Sequence, residues 1–222
     1  MTRALLFDLD GTLTDSAPGI LACIEYALVD MDIPVPPQDE LRVFLGPPLM
    51  LTFTQGFGMS TEQATYALAK YRERYHDVGL FENSVYDGIP ELLDALAARD
   101  FTLAVATSKP TYSATRILER FELADSFAFI GGAGLDGSRD TKADVIAHTL
   151  VELRAQGLDV SVPEVVMIGD RHHDVDGARA HGIDCVGVLW GYGSVSELTD
   201  AGAIALVESP SGLLELAALQ GS

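Results

Sequence analysis

Near the start of the chain an apolar run, Ala4-Leu5-Leu6-Phe7, gives way at once to Asp8-Leu9-Asp10-Gly11. The run predicts a buried strand, and the strand must end with two carboxylates held close together. Strand alternation sends Asp8 and Asp10 to one side with Leu9 between them, and Gly11 permits the sharp turn that has to follow. Like charges this close repel, so the pair calls for a cation, a shared proton or both. A divalent metal bound through oxygen, ordinarily Mg²⁺ where phosphate is handled, meets that need. For a lone Asp-x-Asp a simple acidic turn is the better explanation, so the remainder of the chain has to decide.

The 222 residues allow one large domain or a core with a modest insert. Lys and Arg number 14 against 33 Asp and Glu, a net charge of −19, which argues against a nucleic-acid or anionic-membrane surface. An anionic substrate would have to be attracted locally, by a metal and a few placed cations. No apolar run approaches the ~20 residues of a membrane span, and Met1-Thr2-Arg3 leads directly into the first strand, so a cytoplasmic protein is expected. Cys23 and Cys185 lack metal-ligand spacing and read as reduced core residues.

From Ile20 to Met31 apolar residues recur at helical spacing until the Pro-rich Ile33-Pro34-Val35-Pro36-Pro37, and Gly46-Pro47-Pro48 makes a second break. Ser60 with Gln63 predicts a capping box opening a helix to about Asp77. Residues 16–83 are thus expected to be helical throughout. After Gly88 short apolar runs alternate with helices. Strands are expected at Thr102–Ala106, Phe127–Ile130, Glu164–Ile168, Ile183–Val188 and Ile204–Val207, and helices at Pro110–Phe121, Thr141–Arg154, Val175–His181, near Val195 and at Ser211–Leu219. That alternation predicts an α/β fold, a parallel sheet with helices on both faces and ligands at the carboxyl ends of its strands. The first strand belongs to this sheet. Residues 1–15 and 84–222 therefore form the core, and 16–83 an all-helical insert placed to close as a lid.

Three further segments carry chemistry. The strand ending at Ala106 runs into Thr107-Ser108-Lys109-Pro110, where hydroxyls and free N–H groups at a helix start could cradle phosphate, although N-capping explains the segment as well. Asp140-Thr141-Lys142 puts a cation at a helix N-terminus, against the helix dipole; it suits either a bound phosphate or an exposed first-turn lysine. Val165-Val166-Met167-Ile168 ends in Gly169-Asp170, and Asp174 follows one helical turn later on the same face, completing an oxygen ligand set. His172 and His173 should diverge and pack at a surface, as should Asp176 and His181, and Gly131-Gly132-Ala133-Gly134 reads as a mobile loop after the third strand.

These segments together resemble the haloacid dehalogenase superfamily of phosphatases over essentially the whole chain. Its first motif matches Asp8 to Ser16, its second Thr107, its third Lys142 and its fourth Gly169-Asp170 with Asp174. The insert resembles the helical cap of the phosphoglycolate phosphatase-like branch. Leu135-Asp136-Gly137-Ser138-Arg139 and Gly187-Val188-Leu189-Trp190-Gly191-Tyr192-Gly193 resemble members described as 5′-nucleotidase-like.

The resemblance implies a Rossmann-like core and a Mg²⁺-dependent phosphomonoesterase acting on a small phosphorylated metabolite. Asp8 would be the nucleophile and Asp10 the acid and base. Thr107 and Lys142 would hold the transferring oxygens, with Gly11 and Ser108 also at the phosphate. The metal would lie on the Asp8 carboxylate, the Asp10 carbonyl and Asp170, with Asp174 ligating it or orienting a ligand water. Arg42, with Gly46, would meet the rest of the substrate, a solvated helix arginine being the alternative. A sugar-phosphate mutase uses almost the same site. A dehalogenase proper would not need Asp10 or the metal, and a phospho-accepting receiver module would carry its acceptor Asp on a later strand.

Overall fold

The computed structural model describes residues 4–46, 49–135, 138–158 and 160–219. Met1-Thr2-Arg3, Pro47-Pro48 and Asp136-Gly137, all used in the sequence reading, lie outside the described residues. In chain order the elements are β1 (Ala4–Phe7), β2 (Thr14–Asp15), α1 (Ala17–Asp30), α2 (Gln38–Leu41), α3 (Leu49–Leu51), α4 (Thr61–Asp77), β3 (Ser84–Val85) and α5 (Ile89–Ala97). There follow β4 (Thr102–Pro110), α6 (Thr111–Arg120), β5 (Phe129–Ala133), α7 (Lys142–Ala155), β6 (Val165–Gly169) and α8 (His172–Arg179). The chain then continues through β7 (Asp184–Val188), α9 (Val195–Ala201), β8 (Ala205–Val207) and α10 (Pro210–Leu219).

Two compact units result, Met1–Thr14 with Val85–Ser222, and Asp15–Ser84. The larger unit is built on a six-stranded sheet in the order β5-β4-β1-β6-β7-β8, parallel at every pairing. Alternation explains its layering. Ala4 and Leu6, Ala104 and Ala106, and Val165 and Met167 turn to one side, where Val145, Ile146, Leu150 and Leu153 of α7 and Val175 and Ala178 of α8 cover them. The intervening Leu5, Phe7, Leu103 and Val105 are equally buried, as a sheet covered on both faces requires. β1 sits centrally, hydrogen-bonded to β4 on one side and β6 on the other, so the ends of three adjacent strands meet at the point where the strand order reverses.

Two elements run further than their sequence pattern suggests. β4 continues beyond Ala106 to Pro110, its pairing with β5 shifting register between Thr107 and Pro110. Pro110 is consequently the N-cap residue of α6 and not its first helical residue. Lacking an N–H, it is suited to such an irregular strand end. β5 likewise absorbs Gly131, Gly132 and Ala133, where the sequence pattern predicts a mobile loop. Glycine is demanded there by close approach: a Cβ on Gly131 would lie 2.1 Å from Thr149 Oγ1, and one on Gly132 2.5 Å from the Lys109 carbonyl oxygen. α8 starts at His172, earlier than expected, which makes the two histidines its first residues.

The smaller unit is helical apart from its connecting segments. α1 packs on α4, which opens with the Ser60/Gln63 capping box expected from the sequence. Arg74 at the end of α4 makes two hydrogen bonds to Glu82, at 2.7 and 2.9 Å. Gly19 lets α1 meet the backbone of Gly79, since a Cβ would lie 2.0 Å from that carbonyl oxygen. Among the described residues no helix is long and apolar enough to cross a membrane.

Substitution by alanine separates glycines that admit backbone from those that do not. Gly132→Ala meets the Lys109 carbonyl and is expected to lower stability by about 1–3 kcal/mol. Gly212→Ala in α10, whose nearest foreign atom would be 3.5 Å away, is expected to raise it by up to about 1 kcal/mol. Urea unfolding midpoints check both, and equal shifts would contradict the packing described.

Candidate active site

Lys142 organises the site. Thr141 caps α7 through a box with Asp144, which makes Lys142 the first helical residue, and its side chain is turned inward and buried. Its ammonium lies 2.8 Å from Asp8 Oδ1 and 2.7 Å from Asp174 Oδ1 and donates to the Ala106 carbonyl at 3.0 Å. Three donors meet three acceptors from β1's end, α8 and β4. Burial works against the Lys142 charge, but Asp174 and Asp8 outweigh it and hold the group above the ordinary lysine range.

The carboxylates arrive from two neighbouring strand ends. Asp8 follows β1, its N–H bonded to the Ile168 carbonyl at 2.9 Å. Asp170 follows β6 and is fully buried. Its Oδ2 accepts from the Tyr192 N–H at 2.7 Å, and its Oδ1 faces the Thr12 hydroxyl at 3.4 Å. Asp174 accepts from the Arg171 N–H at 3.1 Å. One oxygen from each of Asp8, Asp170 and Asp174 falls within 4.8 Å of the others. Burial first, then the Asp174 and Asp8 charges, hold the Asp170 carboxyl well above the usual carboxylate range. Burial also raises Asp8, with Asp174 adding to it and Lys142 opposing it.

The Asp10 carboxylate stands on a different cation, Lys109, at 2.7 Å. Thr107 is buried, accepts from the Lys109 N–H at 3.2 Å, and favours the ionised form of Asp8 by hydrogen bonding. Gly11 adopts φ 84°, and a Cβ there would lie 2.2 Å from Asp170 Oδ2. Ser108 is exposed, unlike its neighbours. Arg42 and Gly46 are exposed residues of the helical unit.

A family model described as haloacid dehalogenase-like hydrolase matches residues 5–188. The chain belongs to that family. It is 45% identical over 194 residues to a 5′-nucleotidase of Pseudomonas aeruginosa, covering 87% of this chain and 86% of that protein. It is 48% identical over 193 residues to the tyrosine-protein kinase PtkA of Mycobacterium tuberculosis, covering 86% of this chain but only 63% of PtkA. Among solved structures, a predicted phosphatase from Clostridium acetobutylicum superimposes with a TM-score of 0.92 at 42% identity, covering 99% of each chain. The hydrolase is thus a phosphatase-type member of the family, with a buried acidic triad able to hold a metal.

Sequence reasoning brought Asp8, Asp170, Asp174, Thr107 and Lys142 to one place. It passed over Lys109 as Asp10's partner, for which the signal was a partly buried acid in need of a counter-charge. It also passed over the glycines that make room. A Cβ on Gly169 would lie 2.3 Å from Asp174 Cγ, and one on Gly177 2.6 Å from Lys142 Cγ. The rings of His172 and His173 do not diverge but lie 3.8 Å apart, because Glu197 draws His172 Nδ1 to 2.7 Å. His181 is not purely superficial either, its Nε2 lying 2.8 Å from the Ala143 carbonyl oxygen. Neither cysteine is in a disulfide, and both are buried.

The donor set fits a hard cation: three buried carboxylates converge, and Lys142 makes ion pairs with two of them. Asp8 and Asp170 have raised pKa values without metal. They therefore bind protons more tightly folded than unfolded, and their contribution to stability is lost as pH rises through the folded values. A cation must displace those protons in acid, whereas at higher pH it relieves repulsion between ionised groups. Thermal unfolding should accordingly show a larger Mg²⁺-induced rise in Tm at pH 8 than at pH 5, and the reverse order would contradict the assignment.

Proposed function

We propose that this hydrolase is a Mg²⁺-dependent phosphomonoesterase for a small phosphorylated metabolite, a nucleoside monophosphate or a phosphoglycolate-like ester, working through an aspartyl-phosphate on Asp8. The observation that carries the reading is the convergence of Asp8, Asp170 and Asp174 on one point with Lys142 bridging two of them. The 45% identity to a 5′-nucleotidase supports the nucleotide arm.

Asp8, Asp170 and Asp174 would hold the Mg²⁺, together with the Asp10 backbone carbonyl. Bound there, the ion supplies charge neutralisation for a phosphoryl group beside a strongly acidic protein. An Asp8 oxygen attacks phosphorus as the bond to the leaving alkoxide breaks, and Asp10 delivers the proton that the alkoxide takes up. In the second half Asp10 accepts a proton from water, the water oxygen bonds to phosphorus, and the Asp8–phosphorus bond breaks to release inorganic phosphate. Lys109 fixes the direction of the Asp10 carboxylate for both transfers. Lys142 orients Asp8 and, with the Thr107 hydroxyl, stabilises the equatorial oxygens where charge accumulates. Gly11 lies at the same strand end, and Ser108, exposed on β4, is left the weakest claim on the phosphate. The helical unit is assigned the role of a cap that selects among esters, with Arg42 and Gly46 as its substrate-facing residues.

The test is phosphate release by the purified protein with Mg²⁺ across nucleoside monophosphates, phosphoglycolate, sugar phosphates, pyrophosphate and a phosphotyrosine peptide. At least one monoester should turn over, activity should disappear with chelator, and Asp8→Asn should reduce it at least about a thousandfold while leaving the fold intact. Undiminished turnover in Asp8→Asn would overturn the nucleophile. Exchange of phosphate between sugar hydroxyls without net release would make the protein a mutase instead.

A further inference from the structure

We propose that the segment Leu189–Ser194 is a strap that sets the metal site, with Trp190 as a positioning residue acting through Thr12. The inference rests on the metal-site reading given above and extends it to residues with no place in the catalytic set.

The segment leaves β7 and crosses the ends of both acid-bearing strands. At its start the Leu189 N–H donates to the Val207 carbonyl at 2.9 Å, tying it to β8. Next, the Trp190 indole Nε1 donates to the Thr12 carbonyl at 3.0 Å. Thr12 is the residue whose hydroxyl faces Asp170 Oδ1. Two residues on, the Tyr192 N–H donates to the other carboxylate oxygen, Oδ2, at 2.7 Å. Asp170 is thereby gripped from both sides: directly by the strap's backbone, and indirectly by a loop residue that the strap's indole holds in place. Each oxygen keeps a lone pair for a cation.

Glycine spacing shows how tightly the strap is drawn. A Cβ on Gly191 would lie 2.3 Å from the Gly11 carbonyl oxygen and 2.4 Å from Asp170 Cβ, and one on Gly193 would lie 1.9 Å from the Asp170 carbonyl oxygen. The strap's backbone is therefore in contact with the turn after Asp10 and with Asp170 at once. Its far end is anchored as firmly. Ser194 caps α9, and Glu197 in that helix accepts from Arg171 Nε at 2.8 Å and from the His172 N–H at 3.0 Å. Although burial opposes the Glu197 charge, these partners hold its carboxyl down to about 2. Arg171 and His172 directly follow Asp170, so the strap closes on the same loop it covers.

An aromatic ring kept only for packing would need bulk and no N–H. What Trp190 adds is one directed hydrogen bond to the turn between Asp10 and Leu13. Losing it frees Thr12, loosens the separation between the Asp8 and Asp170 loops, and weakens metal binding without removing any ligand.

The chain's single tryptophan also provides a direct readout. In the wild-type protein, Mg²⁺ titration should change the Trp190 fluorescence with a midpoint matching that from calorimetry. Trp190→Phe, which keeps most of the ring's bulk, should retain the far-UV circular dichroism of the wild type but raise the calorimetric Kd for Mg²⁺ by about tenfold, the scale typical of outer-shell partners. A Kd within about twofold of wild type in a folded Trp190→Phe protein would overturn the strap while leaving the metal site standing. If Trp190→Phe fails to fold, the wild-type titration decides alone, and unchanged fluorescence at saturating Mg²⁺ would overturn it. Absence of any Mg²⁺ binding by the wild type would overturn the metal-site reading and the strap together.

Discussion

A buried ammonium between buried carboxylates is the constraint to which the rest of this molecule conforms. Lys142 is taken out of water, where its charge alone would be strongly disfavoured, and it is retained because Asp8, Asp174 and the Ala106 carbonyl each meet one of its donors. Its position at the first turn of α7 opposes the helix dipole, so the helix contributes nothing to this arrangement. The gain comes from the carboxylates, which would otherwise repel one another in a low-dielectric interior. Removing the lysine would leave those charges uncompensated, which is why such a cluster is costly to break even where it adds little net stability. The glycines at 169 and 177 follow from it, since any side chain there would occupy the space taken by Asp174 and Lys142.

A second cation, Lys109, does for Asp10 what Lys142 does for Asp8. With a net charge of −19 the protein repels an anion at long range, and two buried lysines, in contact with Asp8, Asp10 and Asp174, offset part of that charge locally beside an acidic triad able to hold a metal. Screening favours that division, because surface charges are damped over about 10 Å in ordinary salt while buried ones are not.

What could be read from the sequence was whatever depends on local order. The apolar run before Asp8, the Gly169-Asp170 turn and the Ser60/Gln63 box each set their structure within a few residues, and the alternation of strands with helices gave the parallel sheet. Features that depend on residues far apart in the chain were not legible. The extension of β4 to Pro110 and of β5 through Gly131 and Gly132 rests on a register shift between strands, which local hydrophobic pattern does not encode. Lys109 is one of several polar residues in its segment until β4 carries it to Asp10. The Trp190 contact reaches Thr12 across most of the chain and the Tyr192 contact reaches back 22 residues to Asp170, and in the sequence they left only unusually dense glycine. The rings of His172 and His173 lie against each other, tilted by 42°, where Glu197, in another helix, orients one of them.

The proposed chemistry depends most on Asp8 being the nucleophile that Lys142 orients. Acid quenching of a single turnover with a radiolabelled phosphate monoester, followed by peptide mapping, tests this directly. An aspartyl-phosphate on Asp8 would leave an alkali-labile label on the peptide carrying that residue. Label on any other residue, or phosphate formed with no protein-bound label at any quench time, would contradict it.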